Sequence, residues 1–300
     1  MRAIRRRNAY SRGVPYDHRK LLALPLALTA CAALAGCGGS AESATQASSG
    51  PSPRTGEAKA SAPATGAIPA GPPRKKLPLA GRTIVIDPGH NPGNFRHSSE
   101  ISQTVNIGTN RKECDTTGTS TNAGYTEAAF TLDVSHRLRD LLKARGAEVV
   151  LVHDAERPYG PCIDERARIG NAAGADAVVS VHADGSAVGH RGFHVILPAR
   201  VHEGAADTTA IVGPSRTLGE KLVTQFGRAT GTHPANYIGS GTGLDVRRDL
   251  GGLNLSTVPK VFIECGNMRD PQDAALLTEA AWRQKAAQGI ADGIGAYLKG

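Results

Sequence analysis

Three short apolar runs in this chain each end in a side chain that can bind a metal or move a proton. They are Ile84-Val85-Ile86-Asp87-Pro88-Gly89-His90, Val178-Val179-Ser180-Val181-His182 and Val261-Phe262-Ile263-Glu264. Runs of β-branched residues bounded by turn formers predict strands. In a parallel sheet the carboxyl ends of such strands share one edge, and ligands bind in the crevice there. Two imidazoles and a carboxylate would then converge. A second carboxylate, Glu127, falls in the first turn of a predicted helix, where the dipole favours negative charge and the side chain can face the same edge. Two histidines and one carboxylate with an open fourth position form the donor set of catalytic zinc. The other carboxylate would be free to handle the protons of a water. No local signature such as H-E-x-x-H ties these positions together, so the signal lies in their convergence. Any one of the histidines taken singly reads as a strand-end residue bonded to a loop.

The elements that must position these residues alternate along the chain. Strands are predicted at residues 83–87, 149–153, 177–182, 193–197 and 260–264. A helix is predicted over residues 126–145, where Phe130, Val134, Leu138, Leu141 and Leu142 keep helical spacing and Gly146 supplies the stop. Another starts at Asp270-Pro271, a cap followed by proline at the first helical position, and carries Ile290, Ile294 and Leu298 on one face. Residues 164–174 and 215–230 are weaker helical candidates. This order predicts a single α/β domain with a largely parallel sheet over residues 81–300.

The N-terminal third is built differently. Seven basic residues and one acid precede residue 37, so that segment carries six of the eight net positive charges of the chain. The basic balance therefore belongs to targeting, and a nucleic-acid partner loses its main support. A basic region to Lys20, an apolar stretch from Leu21 to Ala35 and then Leu34-Ala35-Gly36-Cys37 read as a lipoprotein signal peptide over residues 1–36, with Cys37 as the lipidated residue. Residues 37–80 are rich in Ala, Ser, Pro and Gly and cannot bury enough surface to fold. They read as a tether, roughly 35 Å across as a flexible coil.

The phrases TIVIDPGHNPGN, SVHADG and VFIECGNM, in this order around GYTEAAFTLDVSHRLRDLLKARGAEVVLVHD, resemble the zinc-dependent N-acetylmuramoyl-L-alanine amidases of the amidase type 3 family. RARIGNAAGADAVVSVHAD and RRDLGGLN fit the same family, and the polar insertion after His90 with its cysteine pair is most similar to small mycobacterial and related actinobacterial members. The resemblance covers about residues 81–299. It implies a mostly parallel six-stranded sheet flanked by helices, Zn2+ held by His90, Glu127 and His182, and Glu264 as the catalytic residue. It also implies hydrolysis of the amide between the lactyl group of N-acetylmuramic acid and L-alanine in peptidoglycan. Where many relatives carry Gly-Gly after the first histidine, this chain has Asn91-Pro92-Gly93 and then a loop of about thirty residues, long for a connection.

Other residues carry weaker expectations. Asp87 would either orient His90 or cap its turn. Arg247 and Arg248 are candidates to grip a stem-peptide carboxylate, and Asn267 is a candidate for the cleft lining. With Cys31 in the signal and Cys37 lipidated, Cys114 and Cys162 form the loop-borne pair, and export favours a disulfide between them. Cys265 reads as a small buried residue. The expected setting is the outer face of the cytoplasmic membrane, with an N-terminal lipid anchor, peptidoglycan as partner and a monomeric chain. Two rival readings are a zinc peptidase acting within the stem peptide and a non-catalytic wall-binding lipoprotein. Presence of all four candidate residues argues against the second.

Overall fold

The computed structural model describes residues 76–300. Cys37, the expected signal peptide and most of the expected tether lie outside the described residues. In chain order the elements are β1 (Thr83–Pro88), α1 (Ser98–Ile101), β2 (Thr104–Asn106), β3 (Arg111–Glu113), α2 (Glu127–Ala144), β4 (Glu148–Leu151), α3 (Ile163–Ala172), β5 (Ala177–Asp184) and β6 (His194–Pro198). They continue with β7 (His202–Glu203), β8 (Ala206–Asp207), α4 (Val212–Thr230), β9 (Leu244–Arg247), α5 (Gly251–Asn254), β10 (Lys260–Asn267), α6 (Pro271–Thr278) and α7 (Ala280–Leu298). Six strands form one sheet in the order β4-β1-β5-β10-β6-β9. The first four are mutually parallel, and β6 with its parallel partner β9 runs the other way.

Side chains alternate across a strand with period two, so each strand deals its residues to two different environments. On one face lie Ile84, Ile86, Val179, Val181, Ala183, Val195, Leu197, Val261, Ile263 and Cys265, all buried. They meet Phe130, Val134 and Leu138 of α2, Leu218, Leu222 and Phe226 of α4, and Ile290 and Ile294 of α7. Each of the larger side chains contributes roughly 1.5–3 kcal/mol by leaving water. The opposite face starts apolar, with Val85 and Val178 packed against Val152 and Ala175. Two residues further along each strand it turns polar: Asp87 pairs in register with Ser180, and Glu264 pairs with both His182 and His194. One face therefore builds the core while the other carries the chemistry.

Several expectations change. The helix expected from Asp270 is two helices, because Glu279 adopts an extended backbone between α6 and α7. The break is satisfied locally: Arg283 donates to the free carbonyls of Leu277 and Thr278, and the Thr278 hydroxyl bonds back to Ala274. Leu79, expected in the tether, instead belongs to the folded domain: it is buried in the main core and its N–H bonds to the Arg145 carbonyl. Strand β9 was not expected; it is a short edge strand whose Asp245 and Arg247 break any apolar run. The segment after His90 is not a bare loop. It folds into α1 and the β2–β3 hairpin, anchored by buried Ile101 and Ile107 and joined through the Cys114–Cys162 disulfide to the start of α3.

Beneath the polar face lies a closed charge cluster. The Asp87 carboxylate accepts from Lys260 Nζ at 3.0 Å and from Arg166 Nη1 at 2.8 Å, and Arg166 Nη2 reaches Asp115 at 2.8 Å. Lys260 is only 1% exposed. Burial pushes the Asp87 carboxyl up, yet Lys260 and Arg166 outweigh that and hold it well below the usual carboxylate range. Removing one member of such a group strands the other charges, at a cost of about 3–5 kcal/mol. Asp87→Ala is therefore expected to lower the denaturant midpoint by a corresponding amount. A carboxyl with a depressed native pKa contributes stability that is fully present above the unfolded value of about 4 and lost as acid titrates it below that. The wild-type midpoint should fall with acidification below that pH, and a flatter profile is expected for Asp87→Asn; equal acid slopes for the two proteins would contradict the assignment.

Candidate active site

His90 sits just past the end of β1, in a turn that only its neighbours make possible. A Cβ on Gly89 would lie 2.3 Å from Cε1 of His182, so the turn can touch that ring only as glycine. His90 itself has φ +61°, a region costly for a residue with a side chain. Its Nδ1 bonds to the Thr116 carbonyl oxygen at 3.0 Å, which aims Nε2 at the Glu127 Oε1, 3.2 Å away. Glu127 opens α2, directly after the cap Thr126, whose hydroxyl accepts from the Ala129 N–H. The same Glu127 oxygen lies 2.9 Å from Nδ1 of His182. One donor atom from each of His90, Glu127 and His182 falls within 4.8 Å of the others, a group that could hold a metal ion.

Each donor is itself held. Glu127 accepts backbone N–H bonds from Thr119 at 2.9 Å and from Ala183 at 3.2 Å. Nε2 of His182 faces the Ser180 hydroxyl at 3.2 Å, and that hydroxyl in turn reaches Asp87 Oδ2 at 3.1 Å. Asp87 thus neither orients His90 nor caps its turn, as the sequence had suggested. It supports the other histidine, through Ser180, because strand alternation puts Asp87, Ser180 and His182 on one face. His90 is steadied instead by the Thr116 carbonyl and by Asp115, 3.7 Å from Nδ1. The ring of His182 also stacks on Phe262 of the neighbouring strand, with centroids 5.1 Å apart.

Glu264 stands beside His182 in register and lines a cavity of about 270 Å³ together with His90, Glu127, Asp184 and Arg247. Its Oε2 is buried and has no hydrogen-bond partner among the described residues. Burial first, then the charges of Glu127 and Asp184, push its pKa well above the ordinary value. Glu127 goes the other way: burial would raise it, but His90 and His182 outweigh that and hold it low. Burial would likewise depress His90, yet the Glu127 charge and Asp115 raise it to about 10. Two carboxylates a short distance apart therefore have opposed protonation preferences. Glu127 is thus held ready to bind a cation, while Glu264 is the carboxylate disposed to hold a proton.

The model of the N-acetylmuramoyl-L-alanine amidase family matches residues 84–296. The chain is 41% identical over 221 residues to the N-acetylmuramoyl-L-alanine amidase Rv3717 of Mycobacterium tuberculosis, a match covering 73% of this chain and 88% of that one. The chain belongs to the N-acetylmuramoyl-L-alanine amidase family. Among solved structures, the amidase Ami1 of Mycobacterium smegmatis superposes with a TM-score of 0.67 at 39% identity, covering 74% of this chain and 98% of that one. The apo Ami1 of Mycobacterium abscessus gives a TM-score of 0.67 at 41% identity, covering 73% and 100%.

Within this amidase the weaker sequence candidates separate. Arg247 lines the cavity with Glu264, gripped by Asp249 through bonds of 2.8 and 2.7 Å that leave its Nη1 unengaged among the described residues. Arg248 does not line that cavity; it is largely exposed and lies 3.5 Å from Glu203. Asn267 is not in the cleft at all. It is fully buried, and its amide organises the loop after β5 by accepting from Ser186 N and donating to the Ala187 and His190 carbonyls. Thr116, Gly118, Ser180 and Phe262 shape the amidase site and were missed in the sequence, where nothing local marks them. The clearest case is Gly118, since a Cβ there would come within 2.7 Å of His90 and 2.8 Å of Glu127.

Gly118→Ala is therefore expected to weaken divalent-metal affinity about tenfold or more, the scale of disturbing groups that orient metal ligands. Metal uptake must also displace the proton from His90, so affinity should rise with pH up to about 10, where the ring loses its proton in the empty site. Calorimetry in buffers of differing ionisation enthalpy should show net proton release on metal binding at neutral pH; uptake without release would contradict the electrostatics described.

Proposed function

We propose that this chain is a zinc-dependent hydrolase that cleaves the amide bond between the lactyl group of N-acetylmuramic acid and L-alanine in peptidoglycan. His90, Glu127 and His182 hold the zinc, and Glu264 moves the proton. The observation that carries the reading is the meeting of two imidazoles and one carboxylate within 4.8 Å, beside a second carboxylate with an unpartnered buried oxygen. The donor set fits zinc, which accepts nitrogen and oxygen ligands and keeps a position open in catalytic sites. Zinc, when bound, supplies a Lewis acid that lowers the pKa of a coordinated water to about 7 and polarises a carbonyl.

The chain's own residues supply the rest. Glu264 takes the proton of the attacking water and delivers it to the departing alanine nitrogen, which balances the cleavage. Its raised pKa suits the delivery half of that cycle. Arg247, aimed by Asp249, is placed to pair with a carboxylate of the stem peptide. The Ser180–Asp87 chain keeps His182 in one orientation. The Leu34-Ala35-Gly36-Cys37 sequence supports export and lipid anchoring at Cys37, with the tether letting the domain reach the overlying wall.

Glu264→Gln is expected to keep the fold and bind zinc while reducing kcat by about 10²–10⁴, the usual contribution of a positioned acid–base group. Digestion of purified muropeptides with and without chelator, followed by mass spectrometry, tests the reaction itself. The expected products are intact stem peptide beginning with L-alanine and glycan with free lactyl carboxyl groups, both absent under chelation. Cleavage between amino acids of the stem would instead establish the peptidase reading.

A further inference from the structure

The catalytic cavity opens into two larger depressions whose chemistry differs sharply. On one side, sharing His90, His182 and Thr116 with it, lies a space of about 530 Å³. Its walls combine apolar Ile163, Leu250 and Phe262 with charged Arg111, Lys112 and Glu113. On the other side, meeting the catalytic cavity at Gly118, lies a groove of about 420 Å³. Its lining includes Asn91, Phe95, Thr117, Thr119, Ser120 and Thr126, and none of its lining residues carries a charge.

The neutral groove has two further properties. Phe95 is 65% exposed and is the one aromatic residue among those lining the groove. The Arg96 guanidinium lies over one face of the ring, 4.8 Å from its centroid. The hydroxyls of Thr119 and Ser120 make no hydrogen bond among the described residues, while Thr126 is committed to capping α2 and Asn91 to the turn at Arg157 and Gly160. A largely exposed aromatic ring with one face covered by Arg96, in a groove that also carries uncommitted hydroxyls, matches a pyranose, which presents C–H groups on its faces and hydroxyls on its edges. A neutral sugar has no use for charged walls. A peptide with carboxylates does.

We propose that the uncharged groove is the saccharide subsite, with Phe95 as the plane on which a sugar ring stacks, and that the charged depression takes the stem peptide. The scissile amide, which joins sugar to peptide, then lies at the metal-binding group between the two. This rests on the reading of the chain as a peptidoglycan amidase, and it fixes the direction in which the substrate crosses the sheet.

The test uses the purified zinc-loaded chain and a peptide-free β-1,4-linked N-acetylglucosamine tetramer, with affinity read by titration so that no turnover is needed. Phe95→Ala is expected to weaken the tetramer about fivefold, the factor that an aromatic contact of this kind is worth. Phe95→Trp should restore it, and Arg111→Ala should leave it unchanged. On a disaccharide-peptide substrate, Phe95→Ala should raise KM with kcat retained. Because Phe95 is exposed, the alanine variant keeps its fold. Equal tetramer affinity in wild type and Phe95→Ala, absence of binding to the wild type, or loss of binding in Arg111→Ala in place of Phe95→Ala would each overturn the proposal. Tetramer binding as expected, with no peptide release from any muropeptide, would instead sink the amidase reading and leave the sugar subsite standing.

Discussion

Both histidines of this site are fastened, through intermediaries, to one buried carboxylate. Asp87 gathers Lys260 from β10, Arg166 from α3 and Ser180 from β5, and Arg166 extends the grip to Asp115 in the segment after His90. Each of the two histidines is steadied by this cluster, His182 through Ser180 and His90 through Asp115 and its neighbour Thr116. Burying charges in this way costs desolvation that mutual attraction only partly returns, so the cluster adds little net stability over well-packed apolar residues. Its value is positional. Apolar side chains in the same place would hold the strands together but would leave the donors free to turn, and a metal site tolerates little of that.

The disulfide belongs to the same arrangement. Cys114 immediately precedes Asp115 and Thr116, and Cys162 is the residue capping α3, the helix that carries Arg166. The covalent link and the Arg166–Asp115 ion pair therefore fasten the same two segments side by side. One link acts on the unfolded chain by restricting its entropy, and the other acts on the native geometry. Together they make an insertion of more than thirty residues into a rigid wall of the site. An oxidising compartment is where such a link persists, in keeping with an exported envelope protein.

How much of this could be read in advance follows from whether the signal was local. His90, His182 and Glu264 were legible because each ends an apolar run, and the strand period then puts the last two on one face. Glu127 was legible because the start of a helix with apolar residues at helical spacing is a local signal too. The partners of Asp87 were not, since Arg166 lies 79 residues away and Lys260 173 away, and only the sheet order brings them together. The β2–β3 hairpin was invisible for a different reason: Thr104–Asn106 and Arg111–Glu113 are polar throughout and show no alternation. Asn267 was misplaced because β10 continues past Glu264 and twists its end under the loop after β5, where the amide is consumed by backbone groups.

The opposed tendencies of Glu127 and Glu264 follow from geometry of the same kind. Both are carboxylates on one small cavity, yet only Glu127 receives two backbone N–H bonds and two imidazoles, while Glu264 has an oxygen with no partner among the described residues. Without a cation, burial first, and then repulsion from the charges of Glu127 and Asp184, push Glu264 toward its protonated form. A divalent ion among His90, Glu127 and His182 would cancel that repulsion and let Glu264 ionise. On the proposed reading, the carboxylate would act as a base once a cation occupied the site, and negative charge building on the substrate would favour its reprotonation. A single residue can then serve both halves of an amide hydrolysis without a second titrating group.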